Sequence, residues 1–313
     1  MNRPTIGVIG IGYWGNKIAR EYLTIQRRFG TVRLAAICDA RKDQLEKFRA
    51  RLQYPRKRTH SDVQDFLQSD IQGVHICTPN DTHYEIASSA LDQGKVVLVE
   101  KPLTMRYIDA QRLVKKGQDL NLPVITGHIY RFNAAVKRAA QIVREEAFGR
   151  VIHVKIEWKA LATFRDPKRD ILFDLGPHPF DITNMLIDEW PHQVKCSTYD
   201  PRGVGISEIA YMQAGYRNQK VAHIELNWTY PAKTRAVSVI GQRQSLQIDC
   251  LNQVIDLYPS AGRPFRISSK RNNAMRAELL YFGKCCNRLE DPIGLGEFGL
   301  KVTEILDKKI RYV

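Results

Sequence analysis

Two textures of hydrophobic patterning divide this chain. In the first, short continuous apolar runs alternate with helical patterns. The runs at 5–9, 32–38, 74–77, 96–99 and 124–126 predict strands. Apolar positions at helical spacing predict helices over 14–28, 42–52, 83–93 and 108–119. Strands apolar on both faces, each followed by a helix, belong to a parallel sheet covered on both sides. Residues 1–126 are therefore expected to form an α/β domain that binds a ligand at the carboxyl ends of its strands.

The second texture begins at Gly127. One helical pattern covers 134–146, and alternating runs follow at 151–158, 206–216, 221–228, 236–240, 246–250 and 254–258. Alternation such as Ala222-His223-Ile224-Glu225-Leu226 suits a largely antiparallel sheet with one wetter face. A helix is expected to start near Pro177, two more to close the chain over 275–290 and 295–309, and a polar loop to span 259–273. Residues 127–313 are thus expected to form a single α+β domain.

Composition narrows the function classes. The chain has 313 residues and a net charge of +15, with its basic residues scattered in small clusters and no basic arm or zinc-finger spacing. Nucleic acid is not expected as a partner; an anionic small molecule is. No run reaches the ~18 apolar residues of a membrane span, and Met1-Asn2-Arg3-Pro4 leads straight into a strand, so neither membrane nor secretion is expected. Six cysteines without a CxxC pair suggest reduced thiols in a cytoplasm rather than disulfides or zinc.

The candidate chemistry falls at strand ends. Gly10-Ile11-Gly12-Tyr13-Trp14-Gly15 lies between the first strand and first helix and matches GxGxxG. Gly10 suits the tight turn, Gly12 the approach of a pyrophosphate and Gly15 close helix packing, with Tyr13 and Trp14 beside the phosphates. Asp39 ends the second strand, near the ~20-residue offset at which a carboxylate holds the adenosine ribose. A carboxylate there favours NAD over NADP, although Arg41 could offset it. Thr78, Pro79, Asn80 and His83 follow the 74–77 strand, where a loop can touch the nicotinamide side, and Asp81 and Thr82 are expected as helix caps. Glu100-Lys101-Pro102 terminates the buried run VVLV, which sets Glu100 and Lys101 at the ligand end of the sheet. In Asp174-Leu175-Gly176-Pro177-His178, Pro177 suits the first helical position, and a helix N-terminus disfavours an imidazolium, so His178 suits a general base. A metal held by Asp174, His178 and Asp181 is not expected, because hydride transfer needs none.

These segments, in order, resemble the glucose–fructose oxidoreductase/inositol dehydrogenase/rhizopine catabolism (Gfo/Idh/MocA) family over essentially the whole chain: GIGYWGN, the strand ending in Asp39, Cys77-Thr78-Pro79 with Thr82-His83, VEKPL, GHIYRFN and DLGPHPFDI. The resemblance implies a Rossmann domain followed by an open-faced mixed sheet that makes homodimers or homotetramers. It implies NAD(P)-dependent oxidation or reduction of a sugar, cyclitol or sugar-nucleotide carbon. Lys101 would bind and polarise the reacting hydroxyl, His178 would exchange its proton, Asp174 would support it, and Arg131 would join them in binding substrate. The variants look most like a branch acting on UDP-N-acetylhexosamines and their uronic acids at C3. Arg165, Lys168 and Arg169 are candidates to meet a phosphate or carboxylate. The alternatives are a dinucleotide-sensing regulator without catalysis and a reductase of a dihydrodiol or bilin.

Overall fold

The computed structural model describes residues 3–161, 170–203, 205–267, 270–289 and 294–313. They form two compact units: Met1–Gly127 with Met275–Thr303, and His128–Ala274 with Glu304–Val313.

The first unit follows the alternation of its sequence: β1 (Thr5–Ile9), α1 (Tyr13–Arg28), β2 (Arg33–Cys38), α2 (Lys42–Leu52), β3 (Thr59–His60), α3 (Val63–Leu67), β4 (Gly73–Ile76), α4 (His83–Asp92), β5 (Val96–Val99), α5 (Tyr107–Asp119) and β6 (Val124–Thr126). The sheet order is β3-β2-β1-β4-β5-β6, with every pair parallel. Each crossover therefore needs a connection long enough to return to the same edge, which the helices provide. The order reverses between β1 and β4, the switch point at which such sheets bind ligands. Apolar side chains of β4 and β5 pack with Phe66, Ala87, Leu91 and Leu113 from α3, α4 and α5.

The second unit holds α6 (Ala134–Ile142), β7 (Val151–Leu161), α7 (Ile171–Leu175), α8 (Pro177–Ile187), β8 (Gln193–Tyr199), β9 (Ile209–Gly215), β10 (Val221–Asn227), β11 (Thr229–Gly241), β12 (Gln244–Asp249), β13 (Val254–Pro259) and β14 (Phe265–Ile267). Helices α9 (Ala274–Cys286) and α10 (Leu295–Glu304) follow, and β15 (Ile310–Tyr312) ends the chain. The nine-stranded sheet runs β14-β13-β12-β11-β7-β10-β9-β8-β15. It is antiparallel except where β10 meets β7 and β15 meets β8. One face is buried, with Val154, Ile156 and Trp158 of β7 beside Ala222, Ile224 and Leu226 of β10; the alternate positions are wetter.

Several expectations are corrected. The closing helices do not belong wholly to the second unit: α9 and most of α10 pack on the first. Gly73 of β4 leaves room for Phe282, and Gly283 of α9 lies against Val32. Arg276 of α9 pairs with Glu21 of α1 at 2.5 Å. An apolar helical face shows that a helix is buried, not which sheet buries it. Strand β8 went unread because its inner face carries little more than Val194 and Cys196. The polar loop contains β14, and the last helix changes to a π-helical turn over Ile305–Lys309. Among the described residues, no helix is long and apolar enough to cross a membrane.

Candidate active site

The glycine turn is built as its sequence requires. Gly10 has φ +86°, and a Cβ there would stand 2.6 Å from the Cys77 carbonyl oxygen. Gly15 lies so close beneath the Gly10 carbonyl that any side chain would collide with it. Gly12 is different: a Cβ would meet only the Arg41 guanidinium, at 3.6 Å. Its missing side chain leaves a cradle open at the N-terminus of α1, where Tyr13 is 82% exposed.

Asp39 braces this cradle. Its Oδ2 accepts the Ile11 N–H at 2.7 Å and its Oδ1 the Arg41 N–H at 2.9 Å. The Arg41 side chain lies 3.5 Å from the same Oδ1. A glycine cradle at a helix N-terminus with a carboxylate at the end of β2 fits a dinucleotide. Gly10, Gly12, Gly15 and Asp39 would hold it, and when bound it supplies the hydride acceptor or donor.

Beyond the cradle, Thr82 precedes α4 without a capping side-chain bond, contrary to expectation. Its hydroxyl instead reaches Thr78 Oγ1 and the Pro79 carbonyl, both at 2.7 Å. His83 is fully buried, with Nδ1 2.9 Å from the Pro102 carbonyl and Nε2 3.1 Å from the Thr78 carbonyl. Its ring ties the Thr78 turn to the Lys101-Pro102 turn. Glu100 is buried too; its Oε1 accepts the Trp14 indole N–H at 2.6 Å and lies 3.4 Å from His75 Nε2. Burial pushes the Glu100 carboxyl up, but His75, Trp14 and the Lys101 charge outweigh it and hold the group below the usual carboxylate range. Lys101, half-buried, follows directly, and its peptide bond to Pro102 is cis.

In the second unit Asp170 caps α7 by accepting from Leu172 N and Phe173 N. Asp174 then lies in the last turn of α7, and Pro177 opens α8 with His178 in its first turn. Asp181 is almost wholly buried and is occupied by Arg131, whose Nε stands 2.6 Å from it while Nη2 donates to Asn184 at 2.9 Å. Arg131 therefore clamps α8 to the 129–132 turn.

Two aromatic residues flank His178, and a guanidinium stacks on one of them. Tyr130 meets its ring edge-on at 5.1 Å between centroids, and Trp158 lies tilted at 6.1 Å. The Arg235 guanidinium stacks over Trp158 at 5.0 Å and donates to the Lys159 carbonyl at 2.7 Å. Burial lowers the affinity of Arg235 for its proton, while Tyr130 and Asp174 oppose that. Tyr130 stands two residues from His128 in GHIYRFN, and Trp158 is the last fully buried apolar residue of β7; these are the signals the sequence offers. Arg165, Lys168 and Arg169 lie outside the described residues.

A switch-point cradle for NAD, followed by a second sheet unit carrying a helix-borne histidine, defines a nicotinamide-dependent oxidoreductase. The chain belongs to the Gfo/Idh/MocA family: the oxidoreductase family model with an NAD-binding Rossmann fold matches residues 5–128, and the family's C-terminal domain model matches 136–247. It is 28% identical over 258 residues to the UDP-N-acetylglucosamine 3-dehydrogenase of Acidithiobacillus ferrooxidans, covering 80% of this chain and 76% of that protein. A crystal form of that enzyme superposes with a TM-score of 0.86 at 24% identity, covering 98% of this chain and 96% of the other. An inositol dehydrogenase homologue from Azotobacter vinelandii, complexed with NADH and myo-inositol, gives 0.85 at 17% identity over 97% and 94%. At these identities the superpositions speak for the fold.

Proposed function

We propose that the protein transfers a hydride between NAD and a secondary carbinol of a sugar, cyclitol or sugar nucleotide, with Lys101, His178 and Asp174 acting on the alcohol. The observation that carries this reading is Lys101 just past the carboxyl end of β5, next to Glu100, whose carboxylate holds Trp14 of the glycine turn. The Lys101 ammonium binds and polarises the hydroxyl oxygen. His178, set among Tyr130 and Trp158, takes the hydroxyl proton in the oxidation direction and returns it in reduction. Asp174, one turn before it, supports the imidazolium that forms.

The similarity to a UDP-N-acetylglucosamine 3-dehydrogenase favours a sugar nucleotide, and the net charge of +15 favours an anionic substrate. A cytoplasmic homo-oligomer assembled through the wetter face of the second sheet is part of the same proposal. All six cysteines are free thiols. Lys101→Ala and His178→Ala are each expected to lower turnover by about 10²–10⁴-fold, as for a lost acid–base group. The readout is the ultraviolet absorbance of NADH with a panel of nucleotide sugars. Near-normal turnover in both variants would sink the assignment of these residues, and absence of turnover by the native chain across the panel would favour a dinucleotide-sensing regulator instead. Asp39→Ala is expected to cost NAD about 1.5–3 kcal/mol of binding, the range for hydrogen bonds to charge. It should narrow the preference over NADP, as titration calorimetry with both cofactors would show.

A further inference from the structure

Beneath the glycine turn runs a buried polar chain that this chemistry does not use. Tyr22 of α1 and His75 of β4 have no exposed surface. The Tyr22 hydroxyl stands 3.3 Å from His75 Nδ1, and His75 Nε2 stands 3.4 Å from Glu100 Oε1, the oxygen that also accepts from Trp14. An ionised carboxylate can only accept. The hydrogen that can lie between His75 and Glu100 is therefore the one on Nε2, a buried nitrogen that meets Oε1 by this long approach without the geometry of a full hydrogen bond. Phe282 of α9 closes against the imidazole edge-on at 6.3 Å.

The ionisable groups around the pair are Tyr22, Cys77, Lys101, His83 and, from α9, Glu278 and Cys286. Burial pushes the Tyr22 hydroxyl and the Cys77 thiol well up, so both stay neutral, which leaves Lys101 as the cation nearest in sequence to Glu100. The ligand atoms of His75, Cys77 and Glu100 lie within 4.8 Å of one another, as a metal would ask. A protonated thiol is a poor ligand, however, and Trp14 already donates to the carboxylate. A buried polar chain accounts for the cluster better.

We propose that His75 is a positioning residue: its Nε2–H, facing Glu100 Oε1 in the buried interior, holds that carboxylate turned to Trp14 and so fixes the strand end that carries Lys101. The proposal rests on the reading of Lys101 as the group that meets the substrate. Without the donor, desolvation prevails and Glu100 takes up a proton towards neutral pH. The Trp14 bond and the charge opposite Lys101 are then lost together.

The test compares His75→Leu with His75→Gln, whose amide N–H can stand in for Nε2–H. In ¹⁵N-labelled protein the indole N–H signal of Trp14, assigned by its loss in Trp14→Phe, reports the charge on Glu100. It should stay fixed through neutral pH in the native chain and in His75→Gln, and titrate in His75→Leu. Turnover of His75→Leu should follow the same midpoint, each pH unit of upward shift costing about tenfold on the acid side. The KM for NAD should hold, and His75→Gln should restore the native profile. A uniform fall in turnover at every pH with an unmoved indole signal would make His75 a packing residue and overturn the proposal. An indole titration that turnover ignores would overturn the link to Lys101. Should His75→Leu not fold, the native protein still decides: an indole signal that titrates near neutral pH refutes it. An active Lys101→Ala would fell the catalytic reading instead, and leave the His75–Glu100 link to the indole signal.

Discussion

His83 shows what a fold can do with a residue that sequence only places shortly after a strand. The Thr-Pro-Asn-x-x-His pattern put it near the nicotinamide end, but spacing does not say which way a ring turns. Both its nitrogens face carbonyls, and burial lowers its proton affinity below the usual histidine value while those carbonyls oppose the shift. The sign of the consequence follows from linkage. Below the ordinary histidine pKa of about 6.5 the unfolded chain takes up a proton that the folded chain refuses. Stability is therefore complete above that value and falls as pH drops from there towards the lowered folded pKa. Glu100, held below the usual carboxylate range, loses its contribution further down, as pH falls from its unfolded value through its folded one. His83→Gln is expected to flatten the upper part of this acid limb in urea denaturation at a series of pH values. An unchanged limb would show that His83 is protonated in the folded state. Asp39 was more legible, because a carboxylate at the end of β2 has its geometry set by the sheet itself.

At the scale of elements, the placement of His178 depends on what holds α8. Asp181 lies on the same helix, and sequence alone offered it as a neighbour for His178 or a metal. Instead it faces Arg131, with Asn184 completing the fork and His128 3.9 Å away. Removing one partner of a buried ion pair strands the other, at a cost of about 3–5 kcal/mol. Asp181→Ala should therefore lower the urea midpoint strongly and also reduce turnover by loosening α8, whereas replacing both partners with apolar residues should recover much of the stability. Equal loss in the single and double variants would mean the pair is not coupled. Pro177 at the start of α8 and the strands of the first sheet were readable because local rules dictate them: a fixed proline φ, and runs apolar on both faces. The cage of Tyr130, Trp158 and Arg235 was not, because its members come from the 129–132 turn, β7 and β11, and only the pairing of β7 with β11 brings the last two together.

On the scale of the whole molecule, order along the chain is not order in space. The first unit is finished by residues that arrive more than a hundred positions after its last strand, so cutting the chain where the sequence texture changes would remove part of its core. Leu279, Phe282, Leu295 and Val302 are each at most 1% exposed. Burying side chains of this kind contributes about 1.5–3 kcal/mol each, so the four together rival the roughly 5–15 kcal/mol by which a whole domain is stable. A fragment of residues 3–127 is accordingly expected to show native-like secondary structure without a sharp cooperative transition, and to bind NAD poorly. His75 would lose the Phe282 ring that closes on it, and β4 the helix seated at Gly73. Joining residues 275–303 to the fragment through a flexible linker should restore a cooperative melt, because the segment needs only to reach its seat. Circular dichroism melts of the two fragments, with calorimetric titration of NAD, make the comparison. A fragment of 3–127 that melts sharply and binds NAD as tightly as the full chain would show that α9 and α10 lean on the first sheet without completing it.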